Sequence, residues 1–178
     1  RKRDFPGSPR GAASSFVIGG YAYVGLGSGS GYYRDFFRYD PATDTWESIA
    51  DFPGTARHRA ASFVLDGIGY TGTGSNAESY YMTDIWKYNP ETDSWSEGPT
   101  FTGDEFYAGL ADFEGFTLNG SGYLFIYNYL YRLDGAVWTD MRAPFDMTAW
   151  DNLAFTYNGR AYIGMGCPHA SGGTGYIW

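Results

Sequence analysis

The stretch DFPGSPRGAASSFVIGGYAYVGLGS at residues 4–28 decides the fold, because the chain contains a second version of it. It aligns without gaps onto DFPGTARHRAASFVLDGIGYTGTGS at residues 51–75, with 14 of 25 positions identical at a constant shift of 47 residues. Identity of this extent at a fixed shift indicates an internal repeat, in which each copy forms one structural unit.

Two shorter patterns extend the repeat along the whole chain. Glycine followed three residues later by tyrosine recurs four times, at Gly20/Tyr23, Gly67/Tyr70, Gly120/Tyr123 and Gly159/Tyr162. Tyrosine followed seven residues later by tryptophan recurs three times, at Tyr39/Trp46, Tyr88/Trp95 and Tyr131/Trp138. The sequence therefore predicts four repeats over approximately residues 4–50, 51–99, 100–142 and 143–178, the last of them incomplete.

Within a repeat, apolar side chains alternate with the period of a β-strand. In the second copy, residues 61–65 and 68–71 flank Asp66-Gly67, a dipeptide that supplies the positive φ angles of a type I′ hairpin turn. Asn119-Gly120 and Asn158-Gly159 stand at the same place in later copies. A third strand over residues 85–88 and a fourth around Trp95 follow, so we expect a four-stranded antiparallel sheet from each repeat.

A sheet with two apolar faces is stable when it packs between two others, as blades do in a β-propeller. Aromatic residues make up 20% of the chain and glycines number 26, which suits large rings between closely packed strands. The same composition argues against helical bundles and against disorder. The predicted fold class is all-β, a β-propeller of four-stranded antiparallel blades, with about three and a half blades in this chain.

Charge, hydropathy and cysteine content exclude several classes of partner and structure. The net charge of −8 argues against nucleic acid, which needs a lysine- and arginine-rich surface. No apolar run approaches the roughly 18 residues of a transmembrane segment. Cys167 is the sole cysteine, so no disulfide forms within the chain.

The repeat resembles that of kelch β-propellers, which have glycines at the end of the second strand and a tyrosine and tryptophan separated by six residues. The motif style, with Asp-Phe-Pro-Gly and Asp-Pro-Ala-Thr-Asp-Thr-Trp, is similar to bacterial envelope or secreted kelch proteins. Kelch rings of six or seven blades imply that this chain is a fragment of a longer propeller. The alternative is a four-bladed ring closed by exchange of terminal strands. The third copy lacks the glycines, and we expect a much shorter second loop in its blade.

Strand alternation places the connection into each first strand, and the loop after each second strand, on one face of the propeller. Binding usually lies on such loops. Our candidate binding residues on this face are Arg10, Arg57, His58, Arg59, Tyr80, Tyr81, Trp150 and Asp151. Arg10 and Arg57 have two interpretations, a structural arginine bonded to neighbouring carbonyls or a cation that receives a carboxylate or polar ligand. The repeat alignment places Ala149, Trp150 and Asp151 opposite Arg57, His58 and Arg59.

The first functional hypothesis is a non-catalytic binding propeller outside the cytoplasm, whether secreted, periplasmic or associated with the outer membrane, that engages a protein or glycan. It requires no cofactor and no metal. The alternative that the resemblance implies is an enzyme, a copper radical oxidase or a sialate isomerase, with its site completed by missing blades. Cys167, His58 and His169 supply a partial set for the oxidase. A further alternative is a structural subunit of a cell-envelope assembly.

Overall fold

The computed structural model describes residues 1–102, 113–126, 129–141, 149–150, 153–164 and 167–168. These residues contain sixteen β-strands and no α-helix, which confirms the predicted all-β class. Across the same ranges, no helical segment has the length and apolar character needed to cross a membrane.

Three four-stranded sheets and two strand pairs account for the strands. The first blade contains β1 (Ser14–Ile18), β2 (Tyr21–Gly25), β3 (Phe36–Asp40) and β4 (Thr45–Ile49). The second contains β5 (Ala61–Leu65), β6 (Ile68–Gly72), β7 (Ile85–Asn89) and β8 (Ser94–Glu97). The third contains β9 (Phe113–Leu118), β10 (Ser121–Ile126), β11 (Tyr129–Asp134) and β12 (Val137–Asp140). The fourth repeat contributes β13 (Ala149–Trp150), β14 (Leu153–Tyr157), β15 (Arg160–Gly164) and β16 (Cys167–Pro168).

Each complete blade is an antiparallel meander in which strands pair in chain order. The hairpin between β5 and β6 turns at Asp66 and Gly67, whose φ angles are +49° and +77°. Asn119-Gly120 and Asn158-Gly159 adopt the same pair of positive φ angles in the third and fourth repeats. The turn chemistry therefore fixes the register of the inner hairpin, as the sequence predicts. In the fourth repeat β14 pairs with β15 and β13 with β16.

The blades stack around a common axis through their innermost strands. β1 contacts β5, β5 contacts β9, and β9 contacts β14. The buried side chains form layers between neighbouring blades rather than one central core. Phe16 and Tyr23 of the first blade pack with Tyr88 of the second, and Phe63 of the second packs with Trp138 of the third. Burial of each large ring removes about 150–250 Å² from water, so these layers stabilise the stack.

The recurring tyrosine and tryptophan hold each blade to the segment that precedes its repeat. The Tyr88 hydroxyl donates to the Asp93 carboxylate over 2.9 Å, and its ring lies 5.0 Å from that of Trp95. The indole nitrogen of Trp95 donates to the Ala50 carbonyl, also over 2.9 Å. Trp138 makes the equivalent bond to the Pro99 carbonyl. The spacing that indicated the repeat thus has a direct structural cause.

The third blade has the shortened second loop that the sequence predicts. β10 ends at Ile126 and β11 begins at Tyr129, whereas the equivalent connections in the first two blades span residues 26–35 and 73–84. The long loops of the described propeller therefore come from the first and second blades.

Candidate functional site

One face of the propeller, which we call the loop face, carries the segments that enter the inner strands and the long loops of the first two blades. Equivalent antiparallel pairs, each 17 residues apart in sequence, join these segments: Gly11 with Ser28, His58 with Ser75, and Trp150 with Cys167. The opposite face carries the tight hairpin turns. This arrangement is the one that strand alternation predicts.

The pairs also fix where the fourth-repeat candidates lie. The backbone of Trp150 occupies the position that His58 has in the second blade, as the repeat alignment predicts. Asp151 is outside the described residues. The loop face therefore presents different residue types at equivalent points around the axis.

A pocket of about 390 Å³ opens at the axis of the propeller on the loop face. Its wall consists of the first residues of all four inner strands and the residues just before them: Ala12 to Ser15, Arg59 to Ser62, Phe113 to Gly115, Leu153 and Ala154. Because every inner strand begins at the loop face, the pocket draws on four repeats at once. It falls within the size range of small-molecule and cofactor sites.

Hydroxyl and charged groups line this axial pocket. The Ser14 hydroxyl is buried and donates to the Ala60 carbonyl over 2.7 Å, which ties the first blade to the second. The Ser62 hydroxyl lies 3.0 Å from that of Thr71. Arg59 is exposed at the pocket, with a φ angle of +56°, and its backbone amide donates to the Ala12 carbonyl. Together with Glu114, these groups suit a ligand with hydroxyl and charged substituents.

Arg57 lies next to this pocket, but its guanidinium points into the second blade. Its side chain is 1% exposed and forms a bidentate ion pair with Asp84, with N–O distances of 2.7 and 2.8 Å. The remaining donors bond the Thr55 and Thr73 carbonyls, and the ring of Phe52 lies 4.9 Å from the guanidinium carbon. These contacts favour the structural interpretation of this arginine.

Arg10 makes the same set of contacts in the first blade. It pairs with both oxygens of Asp35, at 2.6 and 2.8 Å, and donates to the Ser8 and Leu26 carbonyls. Its guanidinium carbon lies 4.2 Å from the centre of the Tyr33 ring. We call the two arrangements, Arg10 with Asp35 and Arg57 with Asp84, the arginine clamps. Each clamp joins the start of its repeat to the end of the long loop.

The carboxylate of the second clamp has a shifted pKa. Burial alone would raise the pKa of Asp84. The hydrogen bonds and positive charge of Arg57, together with a hydrogen bond from the Trp86 indole, lower this pKa by more than burial raises it. The net pKa lies below the ordinary value of 3.8. Asp84 is therefore ionised at neutral pH and holds the loop through charge-assisted hydrogen bonds.

Tyrosine side chains are exposed on the loop face, in the long loops. Tyr80 is 73% exposed, Tyr81 38% and Tyr32 36%. We call these three residues the tyrosine ledge. Tyr32 also lies edge-on to His58, with 5.2 Å between the ring centres, and His58 Nδ1 is 3.1 Å from the Ser28 hydroxyl. The candidates Tyr80 and Tyr81 are thus exposed and His58 is half-buried, whereas Arg57 is fully buried.

Side-chain hydrogen bonds fix the loop that carries Tyr80. The Asn76 amide donates to the Ala56 carbonyl, and its oxygen accepts from the backbone amides of Glu78 and Ser79. The Ser79 hydroxyl donates to the Tyr81 carbonyl. These hydrogen bonds order the loop and leave Tyr80 pointing into solvent. Its ring can therefore contact a partner without rearrangement of the loop.

The axial pocket is the part of the site that the sequence did not predict. Ser15, Ser62 and Glu114 gave no motif, because their significance depends on strands from different repeats meeting at the axis. The sequence does contain one indication of the pocket: Ser15 and Ser62 occupy the same repeat position at the start of an inner strand. Reading that position across all copies would have identified the pocket wall.

The structure describes only some of the residues proposed for an oxidase. Cys167 is described by its backbone strand, and His169 lies outside the described residues. Within the described ranges, His, Cys, Asp and Glu side chains form no group of three that could hold a metal ion.

Four-stranded antiparallel blades stacked around an axis, with a pocket where their inner strands meet, define a β-propeller. The Kelch motif matches residues 16–53 and 69–102, which lie mostly in the first two repeats. The solved structure of YjhT has the same fold, with a TM-score of 0.73 at 18% sequence identity. The match covers 91% of this chain and 60% of YjhT, so the chain spans about three fifths of that protein. No curated protein sequence matches the chain.

Proposed function

We propose that this protein is a non-catalytic binding propeller that engages a protein or glycan partner through its loop face. The observation that carries the proposal is the opening of the axial pocket on the same face as the tyrosine ledge. Kelch-repeat propellers are binding or interaction scaffolds in general, and the loop face is the surface that we propose for this role.

The chemistry of the loop face suits a polar partner with flat apolar patches. Tyrosine gives a large contact area at a low cost in conformational entropy, and its hydroxyl tolerates water. The hydroxyls and the charged side chains of Arg59 and Glu114 in the pocket supply directional hydrogen bonds. A sugar ring or a tyrosine- or serine-rich peptide offers both features to such a surface.

We further propose that the protein acts outside the cytoplasm. The support is the similarity of its repeat style to bacterial envelope and secreted kelch proteins. Fractionation of the native cells, followed by immunoblotting, tests the proposal: recovery in the secreted or envelope fraction is expected, and recovery in the cytosol would contradict it.

Binding of the chain to a glycan microarray and to a displayed peptide library tests the main proposal. We expect Tyr80→Ala and Arg59→Ala each to weaken binding of the selected ligand about tenfold, which corresponds to about 1.4 kcal/mol. Tyr21→Ala is the matched control, since Tyr21 is an exposed tyrosine at the hairpin-turn face. Equal affinity for the Tyr80 and Tyr21 variants and an unchanged Arg59 variant would exclude the loop face as the binding surface.

A further inference from the structure

The inner hairpin turn has the same backbone conformation in all four repeats but different side chains. Both of its residues have positive φ angles in every copy: +59° and +85° at Gly19-Gly20, +49° and +77° at Asp66-Gly67, +50° and +76° at Asn119-Gly120, and +48° and +69° at Asn158-Gly159. Glycine, asparagine and aspartate adopt this conformation most readily. The backbone therefore accepts any of the three at the first turn position, and the residue present determines which reactions the turn can undergo.

Asparagine followed by glycine can close a succinimide ring. In the third repeat, the Gly120 backbone nitrogen attacks Cγ of Asn119, so that the N–Cγ bond forms and the bond from Cγ to Nδ2 breaks. The Nδ2 nitrogen leaves as ammonia with the proton of the Gly120 amide. Water then opens the ring at Cγ to give aspartate, or at the backbone carbonyl carbon to give isoaspartate. In sum, one water molecule is consumed and one ammonia released.

The turn at Asn119 and Gly120 is accessible to water. Both residues are exposed at the tip of the β9–β10 hairpin, beyond its last pair, Leu118 with Ser121. A Cβ placed on Gly120 would meet nothing within 4 Å, so no packed atom covers that side of the turn. The third blade has a neighbour on each side within the chain, because β9 contacts both β5 and β14. The exposure is therefore a property of the turn itself.

The second repeat shows how the aspartate product fits this turn. Asp66-Gly67 has φ angles that differ by only 1° at each residue from those of Asn119-Gly120. Aspartate at position 119 can therefore keep the hairpin unchanged. Isoaspartate instead carries the main chain through Cβ and Cγ, which adds one backbone atom to a two-residue turn. This product should displace the pair formed by Leu118 and Ser121.

We propose that Asn119 is a site of spontaneous deamidation in the folded protein, with aspartate and isoaspartate as its products. Asn158, which is also exposed and precedes Gly159, is a second site of the same kind. Each reaction adds one negative charge, so that the net charge changes from −8 to −10 when both sites have reacted. The turns lie on the face opposite the loop face, and the inference is independent of the proposed binding function.

Two other asparagines in the described part of the chain are matched controls. The Asn76 side chain is fixed by three hydrogen bonds, one to the Ala56 carbonyl and two from the backbone amides of Glu78 and Ser79. Asn89 precedes Pro90, whose nitrogen has no hydrogen and cannot release ammonia by this route. We expect both residues to keep their side-chain amides while Asn119 and Asn158 react.

Incubation of the folded 178-residue chain in mildly alkaline buffer, followed by isoelectric focusing and peptide mapping by mass spectrometry, tests the proposal. We expect an acidic shift of up to two charges. The peptide that contains Asn119 should gain the mass of an amide-to-acid conversion and separate into aspartyl and isoaspartyl forms. The peptides that contain Asn76 and Asn89 should be unchanged.

Two variants copy the turns of the other repeats. Asn119→Gly reproduces Gly19-Gly20 and should abolish the reaction at this turn while Asn158 still reacts. Asn119→Asp reproduces Asp66-Gly67, so it should be one charge more acidic from the start and melt at the temperature of the fresh parent chain. The isoaspartyl fraction of the incubated parent should melt at a lower temperature than either.

Four outcomes would overturn the proposal. An Asn119 amide that persists in the folded chain but is lost in a urea-unfolded sample would mean that the turn protects the residue. Reaction at Asn158 alone would exclude Asn119 as a site. Equal reaction at Asn76 would show that the Asn-Gly turn does not select the site. A lowered melting temperature for Asn119→Asp would contradict the fit of the aspartate product.

Discussion

Replacement of Asp84 by asparagine should destabilise the propeller because it leaves the buried Arg57 cation without its counterion. The substitution preserves the size of the side chain and one acceptor oxygen. It removes the negative charge and places an amide group against the guanidinium. Arg57 is 1% exposed, so water cannot replace the lost carboxylate oxygen.

The magnitude follows from the burial of the two partners. Removal of one member of a fully buried ion pair costs about 3–5 kcal/mol. The Asp84 side chain is 40% exposed, and two backbone carbonyls continue to bind Arg57, so we reduce the expected loss to about 2–3 kcal/mol. The matched control Glu47→Gln breaks the exposed pair with Arg38 and should cost less than about 0.5 kcal/mol.

Urea unfolding followed by tryptophan fluorescence measures both variants. With a slope of about 2 kcal/mol per molar urea, Asp84→Asn should lower the midpoint by about 1–1.5 M. The difference should depend on pH in one direction. The pKa of Asp84 is lowered in the folded state, so its contribution is complete above the unfolded pKa and is lost as pH falls through the folded pKa. The gap between parent and variant should therefore narrow below about pH 4.

Two results would refute this reasoning about the clamp. One is a urea midpoint for Asp84→Asn that matches that of Glu47→Gln at pH 7. Equal midpoints would mean that the buried ion pair stabilises the fold no more than the exposed pair does. The other is a gap that widens on acidification, because the sign of the pKa shift of Asp84 excludes it.

Two further predictions concern the blade repeat. Gly72→Ala should lower the free energy of unfolding by about 3 kcal/mol or more, because the added Cβ would collide with the Asp84 carbonyl oxygen. Gly11→Ala is the control, since a Cβ there meets nothing within 4 Å. Equal melting temperatures for the two variants would contradict this prediction. The hydrogen bond to Asp44, with burial, raises the pKa of Tyr39 to about 12. Asp44→Asn should return that pKa toward 10, as an NMR titration of labelled tyrosine can show; an unchanged pKa would count against the hydrogen bond.

The parts of the fold that the sequence predicts are those fixed by neighbouring residues. Asp66-Gly67 forms its turn through its own φ angles, and the spacing of Tyr88 and Trp95 follows from one hairpin of the blade. The stacking of blades also follows, because a sheet with two apolar faces requires a neighbour on each side. Repetition made these local signals decisive, since each appears several times.

The site required information that local signals do not contain. Arg57 and Asp84 are 27 residues apart, and their pairing depends on how the long loop returns to the start of the repeat. The recurrence of Arg10 was compatible with a ligand contact and with a structural bond. Asp35 and Asp84 recur too, one at the end of each long loop, and pairing the two recurrences would have favoured the clamp. The pocket is harder to predict from the sequence than the clamp, because Ser15 and Glu114 come together only through the stacking of three blades.

The clamps and the short third-blade connection together shape how a partner reaches the loop face. In the first two blades, each arginine clamp holds both ends of a long loop, so the tyrosine ledge is a fixed surface. In the third blade, β10 and β11 are separated by residues 127–128, so no long loop follows its inner hairpin. The pocket wall at Phe113 to Gly115 belongs to that blade. Within the described residues, the proposed partner would meet long loops beside the first two blades and a two-residue connection beside Glu114. This shape would favour an extended ligand that lies across the pocket.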